Sequence, residues 1–239
     1  MPNGGGMRKT IFFTLFFVAF SNASAEEQTQ VNLKDNTVFY EGALSKEANQ
    51  KLISLIDNNP HQIEWVSIKS KGGEVNRGMD LGEIIFNNNL GVEVTEYCLS
   101  SCANYVFSSA HKRRISNHAV IGFHGGVTGM EEATEEYLKT LPESQQKAAR
   151  DSFTAYMKTT TSREAEFFTK VGVSQKITYL GQSPLYQKQN DSEENIGWYY
   201  SLDDLTKLGI KNITVINPPW KFKQLSEKTK FFKVSVSDI

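Results

Sequence analysis

Cysteine is nearly missing from this chain of 239 residues: there are two, Cys98 and Cys102, beside four histidines. Two cysteines and four scattered histidines make no zinc-ligand spacing, so no metal site is expected. An excess of either charge is missing too. The 26 Lys and Arg against 27 Asp and Glu leave a net charge of -1, and no broad basic field points to nucleic acid. Long apolar runs are absent. The most apolar stretch, residues 10–20, is about 11 residues long, against the ~20 that a helix needs to span a bilayer. Internal repeats and low-complexity linkers are absent as well. So is a Gly-x-Ser-x-Gly elbow, which argues against the α/β-hydrolase fold.

What is present begins with a core-forming composition: 39% hydrophobic residues, with 15 Phe and 9 Tyr. That suits one large domain or two small ones. Met7-Arg8-Lys9, the apolar run and the small-residue stretch Asn22-Ala23-Ser24-Ala25 form the pattern of a secretory signal peptide. Cleavage is expected after Ala25, with residues 1–6 an upstream extension and a periplasmic or secreted location for the mature chain. An oxidising compartment favours a Cys98–Cys102 disulfide.

From Glu26 the pattern alternates between strands and helices. Residues 31–40 read as a first strand. Leu44, Ala48, Leu52, Leu55 and Ile56 recur at helical spacing and stop at Asn58-Asn59-Pro60. Residues 63–68 read as a second strand, and a helix with Val75, Met79 and Ile84 closes at Asn87-Asn88-Asn89. Residues 92–97 follow as a third strand, 101–110 as a short buried helix, and Ile115 and 119–123 as more strand. This order implies right-handed crossovers and a mostly parallel sheet. Residues 130–170 are rich in Glu, Lys, Gln and Ala and read as a helical hairpin or kinked helix. Pro142 is suited to start its second part. Ser201 suits an N-cap for residues 202–208. The expected domain covers 26–217, and 218–239 form a basic, Phe-rich C-terminal tail.

Three signatures carry the chemistry. Ser70-Lys71-Gly72-Gly73 lies between a strand and a helix, where glycine N–H groups can point at a developing oxyanion. Cys98-Leu99-Ser100-Ser101-Cys102-Ala103 puts Ser101 where a strand hands over to an apolar helix. Ser100 competes with it, as nucleophile or as cap. The Cys102 N–H falls at the helix start, where donors are unpaired and the dipole favours negative charge. Gly122-Phe123-His124-Gly125-Gly126 puts an imidazole at a strand end in a glycine-rich loop. His61, His111 and His118 lack such a setting and read as surface or turn residues.

Taken together, residues 34–213 resemble the ClpP/crotonase superfamily, and more narrowly an exported, ATPase-independent relative of the Clp protease proteolytic subunit. The resemblance implies an α/β fold, a ββα-superhelix with a mostly parallel sheet and a flanking helical segment. It implies Ser101 as nucleophile, His124 as general base, and Gly73 and Cys102 N–H groups as the oxyanion hole. The family's third member is an Asp ahead of the late helix. Here the count back from Ser201 lands near Glu193, with Asp191 and Glu194 beside it. The paired cysteines around the elbow also depart from the cytoplasmic subunit. The function implied is a serine hydrolase acting on a peptide or protein, without cofactor or ATPase partner, in a family that forms homo-oligomers. Two alternatives stay open: a non-catalytic peptide-binding pseudo-enzyme of the same fold, and a Ser–Lys dyad peptidase using Lys139, Lys147 or Lys158. A crotonase-type acyl-CoA enzyme is the least expected.

Overall fold

A computed structural model describes residues 28–227 and 229–238. The segment read as a signal peptide lies outside them.

The chain opens with a hairpin rather than one strand: β1 (Gln30–Lys34) and β2 (Thr37–Glu41) pair antiparallel. Asp35, with φ 53°, makes the tight reversal between them, a backbone region that Asp tolerates better than most residues. Helix α1 (Lys46–Asn58) starts at Ser45, whose side chain accepts from Ala48 N at 3.1 Å, and stops at Asn59. It is followed by β3 (Trp65–Lys69), α2 (Val75–Asn87), β4 (Gly91–Val94) and β5 (Tyr97–Leu99). The expected single strand at 92–97 is thus split. Thr95 and Glu96 are exposed at the bend between two strands that belong to different sheets.

The short helix that follows, Cys102–Phe107, is a π-helix, here called the elbow helix. Next come β6 (Lys112–Ser116), β7 (Val120–Gly122), α3 (Met130–Thr140) and α4 (Glu143–Val171). The last two form the expected helical hairpin. Pro142 is the N-cap of α4, and Arg150 clasps Glu135 across the pair at 2.6 and 3.1 Å. Short 3-10 turns lead to α5 (Gln187–Asn190), β8 (Asn195–Tyr200), α6 (Leu202–Lys207) and β9 (Ile213–Ile216). Ser201 caps α6 by accepting from Asp204 N at 3.1 Å.

The main sheet has the order β1-β2-β3-β4-β6-β9 and is parallel except for the hairpin. A second layer is built on β5 and β7, parallel neighbours. Single bridges extend it on both sides: Ser70 to Cys98, and Phe123 to Trp198 of β8. The C-terminal residues are more than a tail, because β10 (Lys230–Val234) runs parallel to β8 and buries Phe231 and Val234. The reason is in its composition: Phe231 and Val234 enter two separate apolar clusters, and the Phe231 ring fills the space above Gly122. Core residues Leu52, Met79, Leu81, Ile85, Tyr105 and Phe107 are fully buried between sheet and helices. At about 25 cal/mol per Å² of apolar surface, such burial is the main term holding the layers together. No helix among the described residues is long and apolar enough to cross a membrane.

Candidate active site

The elbow is built by one unusual residue. Ser100 leaves β5 with φ 57°, a left-handed conformation that costs a non-glycine residue about 1–3 kcal/mol. Two bonds hold it there. Its N–H donates to Gly122 O, and its carbonyl accepts from Asn104 N, both at 2.8 Å. The chain therefore turns sharply into the elbow helix with Ser101 as its N-cap, in the right-handed region. This separates the two candidate serines: Ser100 makes the bend and Ser101 opens the helix. Ser101 is 3% exposed, and its hydroxyl donates to Gly73 O at 2.8 Å. The Cys102 N–H belongs to the first helical turn, which has no carbonyl within the helix to pair with.

The disulfide is present between Cys98 and Cys102, both fully buried, with Cα atoms 5.2 Å apart. It closes the base of the bend. At the other end of the elbow helix, buried Arg113 donates to Phe107 O, Ser108 O and Lys211 O, each at 2.7 Å. Burial lowers its guanidinium pKa to about 10.

The Ser70–Gly73 turn is pressed against the elbow. Ser70 Oγ accepts from Gly72 N at 3.1 Å. Gly72 has φ +99°, and a Cβ there would lie 2.8 Å from Leu99 O and from Ser100 Cβ, and 3.0 Å from Ser101 N. Only glycine fits such a position. On its far side Gly72 O accepts from Leu44 N at 3.0 Å.

His124 leaves the strand next to the one that leads to Ser101. The pairing of β5 and β7 sets Leu99 beside Gly122, so Ser101 and His124 each lie two residues past paired positions, at the same end of neighbouring parallel strands. Parallel neighbours are about 4.8 Å apart. Phe123 is pinned on its other side by reciprocal bonds with Trp198, at 2.8 and 2.7 Å. His124 is partly buried, and burial lowers its pKa, offset in part by a bond with its own backbone. Asn104 of the elbow helix reaches across to the loop, donating from Nδ2 to Gly125 O at 2.7 Å.

Asp191, Glu193 and Glu194 are exposed in the turn before β8. Glu194 pairs with Lys230 at 2.6 Å, which holds its carboxyl below the usual range. The β8 residue packed against this corner is Gly197: a Cβ there would collide with Phe123 O and lie 3.0 Å from His124 Cβ. The dyad lysines are all exposed on α3 and α4, with Lys147 engaged by Asp151 at 2.7 Å. His61, His111 and His118 are exposed, as expected. Among the described residues no group of three His, Cys, Asp or Glu could hold a metal ion.

Two residues at the site were not singled out from sequence. Asn104 is a polar residue in an otherwise apolar helix. Glu164 is fully buried against Tyr105 and Val127. Its signal was its place on one helical stripe with Thr160, Phe167 and Phe168, all buried.

The fold and site together define an α/β protein with a mostly parallel mixed sheet and a disulfide-bound serine elbow beside a strand-end histidine. No protein-family model matches the chain, and no curated protein matches it.

Proposed function

We propose that this protein is an exported serine hydrolase, a peptidase of ClpP/crotonase-like superhelical architecture. Ser101 attacks the carbonyl carbon of a peptide or protein substrate. His124 takes the hydroxyl proton and returns it to the leaving group. The Gly73 and Cys102 N–H groups receive the oxyanion, each donor being worth about 3 kcal/mol in such sites. The observation that carries this reading is the register of β5 against β7, which leads serine and histidine off the same end of adjacent strands. The packing of Gly72 on the Ser101 backbone supports it. To react, Ser101 Oγ gives up its bond to Gly73 O, a cost of about 1 kcal/mol for a neutral pair. The reading is a Ser–His pair, and Glu193, exposed in the turn before β8, is not assigned a step.

The same serine bond favours a second reading. A hydroxyl that is 3% exposed and bonded to Gly73 O also suits a structural lock in a non-catalytic binding module of this fold. Hydrolysis of an activated ester separates the two. The hydrolase reading predicts that Ser101→Ala, His124→Ala and the double variant lose similar activity, because residues acting as one unit are non-additive. Equal turnover by wild type and Ser101→Ala favours the binding module. Export predicts a mature N-terminus at or near Glu26, and recovery of Met7 on the soluble protein contradicts it.

A further inference from the structure

The most unusual buried group outside the Ser–His pair is the Glu164 carboxylate, which is 0% exposed. Among the described residues no lysine, arginine or histidine forms an ion pair with it. Three neutral donors serve it instead, from three separate segments. Tyr105 of the elbow helix donates to Oε1 at 2.6 Å, the Val127 N–H donates to the same oxygen at 3.2 Å, and Gln175 Nε2 donates to Oε2 at 2.8 Å. Burying a carboxylate without a counter-ion is costly unless hydrogen bonds satisfy it. The arrangement does so with three bonds spread over both oxygens.

The segments joined are those that hold the proposed reacting groups. Tyr105 lies one turn after Ser101 in the elbow helix. Val127 lies three residues after His124. Between them, Gly126 leaves no room for a side chain, since a Cβ would lie 2.6 Å from Glu164 Oε1. Loop 125–127 is therefore seated directly on the carboxylate, and the Asn104–Gly125 bond ties the same loop to the elbow helix from the other side.

We propose that Glu164 is a positioning residue: it sets the loop after His124 against the elbow helix and so fixes the imidazole relative to Ser101. The inference rests on the serine hydrolase reading for its consequence in rate, but not for its consequence in geometry.

The test uses the full chain in three variants. Glu164→Gln keeps an acceptor for Tyr105 and Val127 but removes the charge and puts an NH2 group against Gln175, whose amide must turn over to accept. Glu164→Gln/Gln175→Glu restores a donor–acceptor pair with the sense reversed. Tyr105→Phe removes a single donor and serves if Glu164→Gln does not fold. Two readouts are taken: the rate at which a fluorophosphonate labels Ser101, and the His124 ring resonances in labelled protein, assigned with His124→Asn. Misplacing a reacting group by about 1 Å can cost 100-fold. Glu164→Gln is expected to slow labelling about 10- to 100-fold and to shift the His124 resonances, and the double variant to return both toward wild type. Unchanged rate and unchanged His124 resonances in Glu164→Gln, or in Tyr105→Phe, overturn the inference. So does a double variant no better than the single one. If wild type is not labelled at all, the hydrolase reading fails. The inference then stands or falls on whether the His124 resonances move in Glu164→Gln and return in the double variant.

Discussion

Replacing Gly72 by alanine perturbs the turn beneath the elbow with one methyl group, and its cost can be worked out in two parts. The first is conformational. Gly72 sits at φ +99°, where an L-residue pays about 1–2 kcal/mol. The second is collision. The new Cβ meets Leu99 O and Ser100 Cβ at 2.8 Å and Ser101 N at 3.0 Å, two of which are backbone atoms that cannot swing aside. Overpacking of this kind costs about 1–3 kcal/mol more. The sum is about 2–5 kcal/mol, a large fraction of the 5–15 kcal/mol by which domains are stable. Gly172 supplies the control. It has φ +69°, with nothing within 4 Å of its Cβ position, so Gly172→Ala should pay the conformational part alone. Urea denaturation of both variants measures the difference. Gly72→Ala is expected to be less stable than Gly172→Ala by at least about 1 kcal/mol and to lose Ser101 labelling, because relief of the clash moves Ser101 N. Equal stabilities, with labelling retained in Gly72→Ala, would refute the account of the turn as a close-fitted support.

Other consequences follow from the same geometry. Burial lowers the His124 pKa, and only the neutral imidazole accepts a proton, so the rate of Ser101 labelling should rise with pH through a midpoint below 6.5. The stability sign is the same: the unfolded chain binds the proton first, so stability falls as pH drops below about 6.5. A midpoint of 7 or higher contradicts this. Arg113→Met strips donors from three carbonyls that now receive bonds of 2.7 Å, and is expected to cost about 2–4 kcal/mol by urea denaturation. A loss under about 0.5 kcal/mol, the size of an ordinary surface change, contradicts it. Glu193→Gln should leave hydrolysis within about twofold of wild type, since Glu193 is exposed in the turn before β8. A fall of 100-fold or more would restore Glu193 as the orienting acid, given the 10⁴-fold cost of losing such a group in a triad.

Much of this architecture was legible in the residues themselves. Helices α1 and α2 stand out because apolar spacing and terminal asparagines are local signals, and the α3–α4 hairpin because Pro142 marks its corner. The Cys98–Cys102 bond was legible from the count, since the chain has two cysteines. The β1–β2 hairpin was missed, although Asp35-Asn36 is a turn pair, because Val38-Phe39-Tyr40 continues the β-like composition across it. The split of β4 from β5 rests on two exposed residues, Thr95 and Glu96, inside an otherwise continuous run. The place of β10 depends on β8, more than thirty residues earlier, and no local pattern carries a pairing of that range. At the site the three signatures were readable in order, but register was not. That Gly197 packs on the Phe123 backbone beside His124 Cβ, and that Glu164 reaches Val127 from a helix about forty residues away, are facts of packing. Only the place of Glu164 on an apolar stripe hinted at them.

The most direct test of the central claim, that Ser101 and His124 act as one unit, is intact-mass and peptide mapping of the mature protein after fluorophosphonate treatment, beside Ser101→Ala and His124→Ala. The account predicts a single adduct on Ser101 in wild type, none in Ser101→Ala, and labelling slowed about 10²- to 10⁴-fold in His124→Ala, the range that a general base supplies. An unmodified wild type, an adduct on another residue, or full-rate labelling in His124→Ala would contradict it.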